Sequence, residues 1–207
     1  MANLAPILEH TKALEGGWAI DQGGRTMYGI TEAVLIEYQK STGKLAGVNI
    51  RALTWPQAAE IYRARYWSKI NGDAIKSQNL AAALFDYAVN SGPGKAVKDL
   101  QRVLKSLGYY SGALDGGFGP VTLAAANKAG ERVVPLLMAA RKSFMQELAK
   151  KDPEKYGDDL KGWMNRLERL QGFFKVAAVR TGGGLLALSL VGAAAFLIYK
   201  KGKYGNG

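Results

Sequence analysis

Apolar residues recur along most of the chain at the spacing of amphipathic α-helices. Gly16-Gly17 would end the first of these helices, because glycine readily adopts the left-handed backbone found at helix C-termini. The glycine-rich residues 18–30 then indicate a loop or a short hairpin. The first helix is marked by these positions: Leu4, Ile7, Leu8, Thr11 and Leu14.

Further helices follow from the same spacing and from capping signals. One is predicted from about Glu32 to Gln39. The run Thr54-Trp55-Pro56-Gln57 matches a capping box with proline in the first turn, which predicts a helix to about Trp67. Strand signals are few, so the predicted fold class is all-α, or α with a small β-hairpin near residues 18–30. The remaining helices are predicted near residues 78–91, 94–107, 120–129, 131–150 and 159–176.

The C-terminal part of the sequence differs from the rest. No residue from Thr181 to Tyr199 is charged, and lysines follow directly at positions 200, 201 and 203. A membrane-spanning helix needs ~20 such residues. We therefore expect a C-terminal transmembrane helix over residues 181–199 with a basic tail over 200–207, the alternatives being a buried helix or a mobile tail. The N-terminus lacks the pattern of a cleavable signal peptide.

Composition removes several classes of enzyme. The sequence has no cysteine and a single histidine, His10. Disulfides, thiolate sites and cysteine nucleophiles are thereby excluded, and a zinc amidase would need at least two imidazole ligands. We expect no metal and no cofactor, and an ordinary structural role for His10. Chemistry run by carboxylates remains, which suits glycoside hydrolysis.

The net charge of +11 indicates a polyanionic partner, such as nucleic acid, an anionic membrane or a bacterial envelope. No nucleic-acid motif is present, and the basic residues are scattered through the helices. We therefore expect no nucleic-acid partner. A solvated basic surface without a functional role is the alternative.

One short segment holds the groups that glycosidic cleavage requires. A carboxylic acid must protonate the leaving oxygen, and a second polar group must activate water or stabilise the developing positive charge. Glu15 lies at a helix end, followed by Trp18, Asp21, Thr26 and Thr31 on a glycine-rich turn. Glycine also lets a bulky polysaccharide approach the backbone. The alternative is an exposed helix end followed by an ordinary turn.

This segment resembles the signature of the glycosyl hydrolase 108 family, lysozyme-like enzymes found in phage lysins and in some bacterial secreted or prophage proteins. That signature is Glu-Gly-Gly-aromatic, Asp-x-Gly-Gly and Thr-x-x-Gly-Ile-Thr, and the chain matches it from Glu15 to Thr31, with Trp18 where tyrosine is more usual. The block from Phe85 to Gly92 and the aromatic segment from Tyr62 to Trp67 also resemble the family. The resemblance covers roughly residues 4–92 and implies a lysozyme-like fold.

The resemblance implies Glu15 as the general acid. The second catalytic group is Asp21 or Thr26, because related phage lysozymes position the attacking water with a threonine. Asn90 is a candidate contact for an N-acetyl group, or part of a buried network with Asp86. Further candidates for substrate binding, with core packing as the alternative for the aromatic ones, are Trp18, Tyr28, Thr31, Tyr66 and Trp67.

Residues 100–130 resemble the predicted peptidoglycan-binding module that often follows this family's hydrolase segment. Their motif is Leu-Gln, Gly-Tyr, Asp-Gly-x-Phe-Gly and Thr. Turn and cap geometry explains much of it, with Thr122 as the expected cap of the next helix, so no wall-binding residue is assigned. We expect a hydrolase segment over residues 1–92 and a helical peptidoglycan-binding segment over residues 93–176, packed together.

These observations predict an N-acetylmuramidase that cleaves the β-1,4 bond of peptidoglycan, a phage lysin or virion-associated enzyme. Its expected partners are peptidoglycan, a membrane through residues 181–199, and virion proteins. We expect it at the host inner membrane or a virion membrane, acting on the cell-wall side. The rivals are a lytic transglycosylase, a catalytically silent wall-binding or virion structural protein, and a membrane-permeabilising protein.

Overall fold

The computed structural model describes residues 1–21 and 24–180, with the side chains of all except Asp21 and residues 175–180. The chain folds into two units. The first unit is formed by residues 3–69, and the second by residues 1–2 with the chain from Ile70 onward. Each unit has its own apolar core.

The first unit contains a small antiparallel sheet, which follows the first helix along the chain and precedes the second. The side chain of Asn3 caps the N-terminus of its first helix, and Gly16, with φ +65°, follows its last residue. The three strands of the sheet pair in chain order, with Trp18 opposite Met27 and Thr26 opposite Thr31. Its elements are α1 (Leu4–Glu15), β1 (Trp18–Asp21), β2 (Gly24–Met27), β3 (Ile30–Thr31), α2 (Glu32–Thr42), a 3-10 turn (Ile50–Ala52), α3 (Trp55–Tyr62) and a π turn (Arg63–Trp67).

All the regular secondary structure in the described part of the second unit is helical. Its central helix carries an unbroken buried run from Leu80 to Ala88, which explains why that helix packs against three other helices of the unit. Two short 3-10 turns, Ser68–Ile70 and Gly72–Ala74, come before it. Its helices are α4 (Gln78–Ser91), α5 (Pro93–Ser106), α6 (Pro120–Ala129), α7 (Val134–Lys151), α8 (Pro153–Tyr156) and α9 (Asp159–Arg180), with a 3-10 turn (Gly130–Val133) before α7.

The predicted fold class, all-α or α with a small β-hairpin near residues 18–30 plus a C-terminal transmembrane helix, is wrong in its membrane-spanning part. The described part of the chain is mostly helical with a three-stranded sheet, and over residues 1–21 and 24–180 no helix is long and apolar enough to cross a membrane. Even α9, with 22 residues, carries charged side chains along its length. The predicted span at residues 181–199 and the basic tail lie outside the described residues. Because no helix of the described residues could cross a membrane, neither the expected membrane anchoring nor the localisation at a host or virion membrane is supported.

Candidate active site

Glu15 is the last residue of α1, and its carboxyl group lies against the backbone at Gly29. A Cβ atom built on Gly29 would lie 2.3 Å from Oε2 and 2.7 Å from Cδ of Glu15. Side chains do not tolerate such distances, so only glycine allows the carboxyl to come this close. Glu15 is half-buried and Gly29 is exposed, which places their contact at the surface of the first unit.

The turn that contains Gly29 is fixed by Tyr28 and Tyr62. The hydroxyl of Tyr62 donates a hydrogen bond to the carbonyl oxygen of Tyr28 at 2.9 Å. The N–H of Tyr28 donates to the carbonyl oxygen of Gly17 at 3.3 Å, just beyond the end of α1. Tyr28 adopts φ +52° and Gly29 φ +71°, two consecutive left-handed residues. These bonds hold the turn beside the Glu15 carboxyl.

Tyr66 lies within electrostatic reach of Glu15. Burial raises the pKa of the Tyr66 phenol, and the negative charges of Glu15 and Glu37 raise it further, while the Arg65 guanidinium opposes them. A phenol with a raised pKa stays protonated at neutral pH. Tyr66 is half-buried and can therefore offer a hydroxyl proton to a substrate or a water near Glu15.

Aromatic rings form a continuous series that begins at Tyr28, in the turn beside this carboxyl. Tyr28 meets Trp55 edge-on with 5.6 Å between ring centroids, and Trp55 lies 6.3 Å from Tyr62. Tyr62 in turn lies 5.8 Å from Tyr66. Tyr62 is buried, whereas the other three rings are half-buried. Half-buried rings can stack on sugars while they also pack within the protein.

Two cations lie on tryptophan rings of the first unit. The Lys12 ammonium is 5.4 Å from the centroid of the Trp55 ring, and the Arg51 guanidinium carbon is 4.7 Å from that of Trp18. Trp18, one of the residues predicted to bind sugar, is half-buried. Neither cation was expected here from the sequence. The one usable indication was that Lys12 precedes Glu15 by three positions, a spacing that places two side chains side by side on a helix.

The two candidates for the second catalytic group lie on neighbouring strands. Thr26 in β2 is 7% exposed, and its hydroxyl donates to the carbonyl oxygen of Ala19 at 3.3 Å. Its oxygen thus keeps lone pairs that can accept a hydrogen bond from water. Asp21 pairs with Gly24 at the end of β1, and its side chain lies outside the described part.

Two further predicted binding residues have structural roles in the first unit. The hydroxyl of Thr31 caps α2 by accepting a hydrogen bond from the N–H of Val34 at 3.2 Å. Trp67 is 0% exposed, so its ring has no face open to a sugar. We therefore do not include Trp67 in the proposed binding site.

Asn90 and Asp86 lie one turn apart on α4 of the second unit. Asn90 is half-buried and accepts a hydrogen bond from the Ser91 hydroxyl at 3.2 Å. Asp86 is buried between Arg141 and Arg166, with ion-pair distances of 2.6 and 2.8 Å. Burial alone would raise the pKa of Asp86, but the two guanidinium charges prevail and lower it to about 2.

The motif of the second segment forms one hydrogen-bonded cluster around Gln101. The buried Gln101 amide nitrogen donates to the Asp115 carboxylate at 2.8 Å and to the Gly117 carbonyl at 3.0 Å. Its amide oxygen accepts from the N–H of Gly116 at 3.0 Å. Thr122 is buried and donates to Gly117 at 3.3 Å, whereas the N-cap of α6, expected at Thr122, is Gly119.

Within the described part of the chain, no group of three or more His, Asp or Glu side chains is arranged to hold a metal ion. The arrangement at Glu15 consists of a carboxyl group, a phenol within its electrostatic reach and half-buried aromatic rings. A carboxyl group that can protonate the leaving oxygen is one of the two groups that cleavage of a glycosidic bond ordinarily uses.

The profile described as "Glycosyl hydrolase 108" matches residues 8–92, and the one described as "Predicted Peptidoglycan domain" matches residues 95–168. Among solved structures, the chain is similar to SagA of Brucella abortus, with 33% sequence identity and a TM-score of 0.65. The alignment covers 82% of this chain and 91% of the SagA chain. The curated proteins contain no significant match. The chain therefore belongs to the glycosyl hydrolase 108 family, joined to a predicted peptidoglycan domain, and is a peptidoglycan hydrolase.

Proposed function

We propose that this peptidoglycan hydrolase is an N-acetylmuramidase in which Glu15 protonates the leaving oxygen of the β-1,4 glycosidic bond. The observation that carries the proposal is the contact between the Glu15 carboxyl and Gly29. It holds the acid at the surface of the unit, beside a turn fixed by Tyr62 and without a side chain that would block a saccharide. A general acid must be held in this way to reach its substrate.

Tyr66 and the half-buried aromatic rings support the same proposal. Burial and the negative charge of Glu15 raise the pKa of the Tyr66 phenol, which therefore stays protonated at neutral pH. Trp18 and Tyr28 are half-buried and can stack on sugar rings. We propose that these three residues bind the glycan strand around Glu15.

The second catalytic group is Asp21 or Thr26. If it is Asp21, the carboxylate acts as base or nucleophile, and Asp21→Asn should lower kcat with little change in KM. If it is Thr26, the hydroxyl oxygen accepts a hydrogen bond from the attacking water, since its proton is already donated to Ala19. Thr26→Val should then lower kcat, whereas Thr26→Ser should retain it. Both assignments would be contradicted if Asp21→Asn, Thr26→Val and Thr26→Ser all kept the activity of the wild-type chain.

The direct test compares Glu15→Gln with the wild-type chain on purified peptidoglycan. Loss of a general acid should lower the rate at least ~100-fold. Mass analysis of the products identifies the reaction: reducing N-acetylmuramic ends indicate a muramidase, and 1,6-anhydro ends indicate a lytic transglycosylase. An unchanged rate in Glu15→Gln would refute the role of Glu15, and no wall digestion by the wild-type chain would refute the muramidase assignment and leave a wall-binding role.

We also propose that the enzyme serves as a phage lysin. The order of its motifs, which resembles phage lysins, supports this role. The purified full chain should reduce the turbidity of bacteria whose outer layers have been permeabilised, and Glu15→Gln should not. Clearing by Glu15→Gln at the wild-type rate would instead indicate membrane damage by the basic chain.

A further inference from the structure

We propose that Lys12, held on the Trp55 ring beside the catalytic carboxyl, binds a carboxylate carried by the N-acetylmuramic acid residue of the substrate. This inference rests on the proposed function, because it places the muramic acid next to Glu15. Muramic acid differs from N-acetylglucosamine by a lactyl ether that carries either a free carboxylate or a peptide with carboxylates of its own. A cation beside the acid would distinguish the two sugars by that group.

Lys12 lies three residues before Glu15 on α1, so the two side chains are neighbours on the helix surface. Its ammonium lies over the Trp55 ring, and Trp55 in turn meets Tyr28, the residue before Gly29. A chain of direct contacts therefore connects Lys12 with the turn that holds the Glu15 carboxyl.

The Trp55 ring holds the Lys12 ammonium without supplying a counter-charge. A tryptophan ring attracts an ammonium through its quadrupole but brings no negative charge. Among the residues whose side chains are described, no carboxylate forms an ion pair with Lys12, in contrast to Arg25, Lys44 and Arg65 of the same unit, which pair with Glu32, Glu60 and Glu37.

Lys12 is exposed and Trp55 is half-buried, so the ammonium that lies over the ring is open to a ligand. An arriving carboxylate would form a charge-assisted hydrogen bond with a cation whose freedom the ring has already reduced. The pair thus has the properties of a small preorganised anion site.

The test measures binding in the Glu15→Gln background, so that the ligands are not cleaved. Three tetrasaccharides are titrated by calorimetry: peptide-free N-acetylglucosamine–N-acetylmuramic acid strands, the same strands with stem peptides, and chitotetraose, which has no carboxylate. Lys12→Gln should raise Kd for a carboxylate-bearing ligand about tenfold and leave chitotetraose unchanged. Lys12→Arg should retain the affinity, because it keeps the charge.

The ligands also separate the two sources of the carboxylate. A loss with the peptide-free strands identifies the lactyl group, and a loss confined to the peptide-bearing strands identifies the stem peptide. Lys40→Gln, at an exposed lysine on α2, is the matched control for charge and should change none of the titrations. The difference between Lys12→Gln and its parent should also shrink at high salt.

Equal losses for all three ligands, or no loss for any, would overturn the proposal. Either result would show that Lys12 supports packing on Trp55 or does nothing for binding. Failure of the proposed function gives different outcomes: Glu15→Gln would digest peptidoglycan at the wild-type rate, or the wild-type products would carry 1,6-anhydro ends, whatever the effect of Lys12 on binding.

Discussion

Gly29 and Glu15 depend on each other at the level of single atoms. The glycine has φ +71°, a region that other L-residues enter only at a cost. Any other residue at this position would bring a Cβ to 2.3 Å from Oε2 of Glu15 and to 2.8 Å from the Tyr62 hydroxyl. Backbone conformation and close approach thus impose the same residue for two separate reasons, and a control must separate them.

Gly29→Ala should lower activity at least tenfold while costing about 1–2 kcal/mol of stability from backbone strain. The new methyl group would displace the Glu15 carboxyl from its position. Gly43→Ala is the matched control, since Gly43 has φ +72° with no heavy atom within 4 Å of an added Cβ. Activity on peptidoglycan and thermal unfolding are measured for both variants. If the two lose activity equally, the contact with Glu15 has no catalytic importance.

At the scale of elements, periodicity and capping predicted the helices well. Gly16 ends α1 as expected, α4 occupies residues 78–91, and Trp55 begins α3. The hairpin expected near residues 18–30 is present as β1 and β2, and a third short strand, β3, extends it. That strand has two residues, too few for a periodicity to be recognised.

The sequence indicated which residue types lie near the site but not which of them meet. The motif predicted Glu15 as the general acid. The approach of its carboxyl to Gly29 is a contact across 14 positions, which no local spacing reveals. The Lys12–Trp55 contact spans an even longer separation. Asp86, in an apolar helix, required a cation, but no pattern indicated that Arg141 and Arg166 supply it.

The cluster around Gln101 explains the motif of the second segment as an element of structure. Gln101 in α5 binds the loop before α6 through Asp115, Gly116 and Gly117. Gly116 adopts φ +78°, and an added Cβ would lie 2.7 Å from the Gly94 carbonyl oxygen. These residues hold the loop in place, which accounts for the motif without any contact to the cell wall.

Gln101→Met should therefore destabilise the chain by about 1–3 kcal/mol, because it leaves buried polar groups without partners. Affinity for purified walls, measured by pelleting well below the unfolding temperature, should stay unchanged. Gln146→Met is the control, since Gln146 is exposed on α7. Loss of wall affinity in a variant that is still folded would show that the motif itself contacts the wall.

At the scale of the whole molecule, a positive chain of net charge +11 also buries charge in its second unit. Asp86 on α4 pairs with Arg141 on α7 and Arg166 on α9, and thereby links three helices. Arg141 is 0% exposed, and its Nε and Nη2 atoms have no hydrogen-bond partner in the described part of the chain. Asp86 is therefore essential to compensate the charge of Arg141 at this position.

Asp86→Asn should lower the free energy of unfolding by about 3–5 kcal/mol at neutral pH, because it leaves buried guanidinium charges uncompensated. The control Glu154→Gln, at an exposed carboxylate, should have no measurable effect. The pH dependence gives a second readout. The pKa of Asp86 falls from 3.8 to about 2 on folding. Its contribution to stability is therefore complete above pH ~4 and is lost as the pH falls towards ~2.

The difference in unfolding free energy between the wild type and Asp86→Asn should accordingly shrink over that acidic range, because the wild-type carboxyl is progressively protonated. Urea titrations monitored by circular dichroism at several pH values measure the difference directly. A constant difference down to pH ~2 would mean that Asp86 stabilises the unit by packing and neutral hydrogen bonds. A difference that becomes smaller as the pH falls instead identifies the two ion pairs as an interaction that links α4 with α7 and α9.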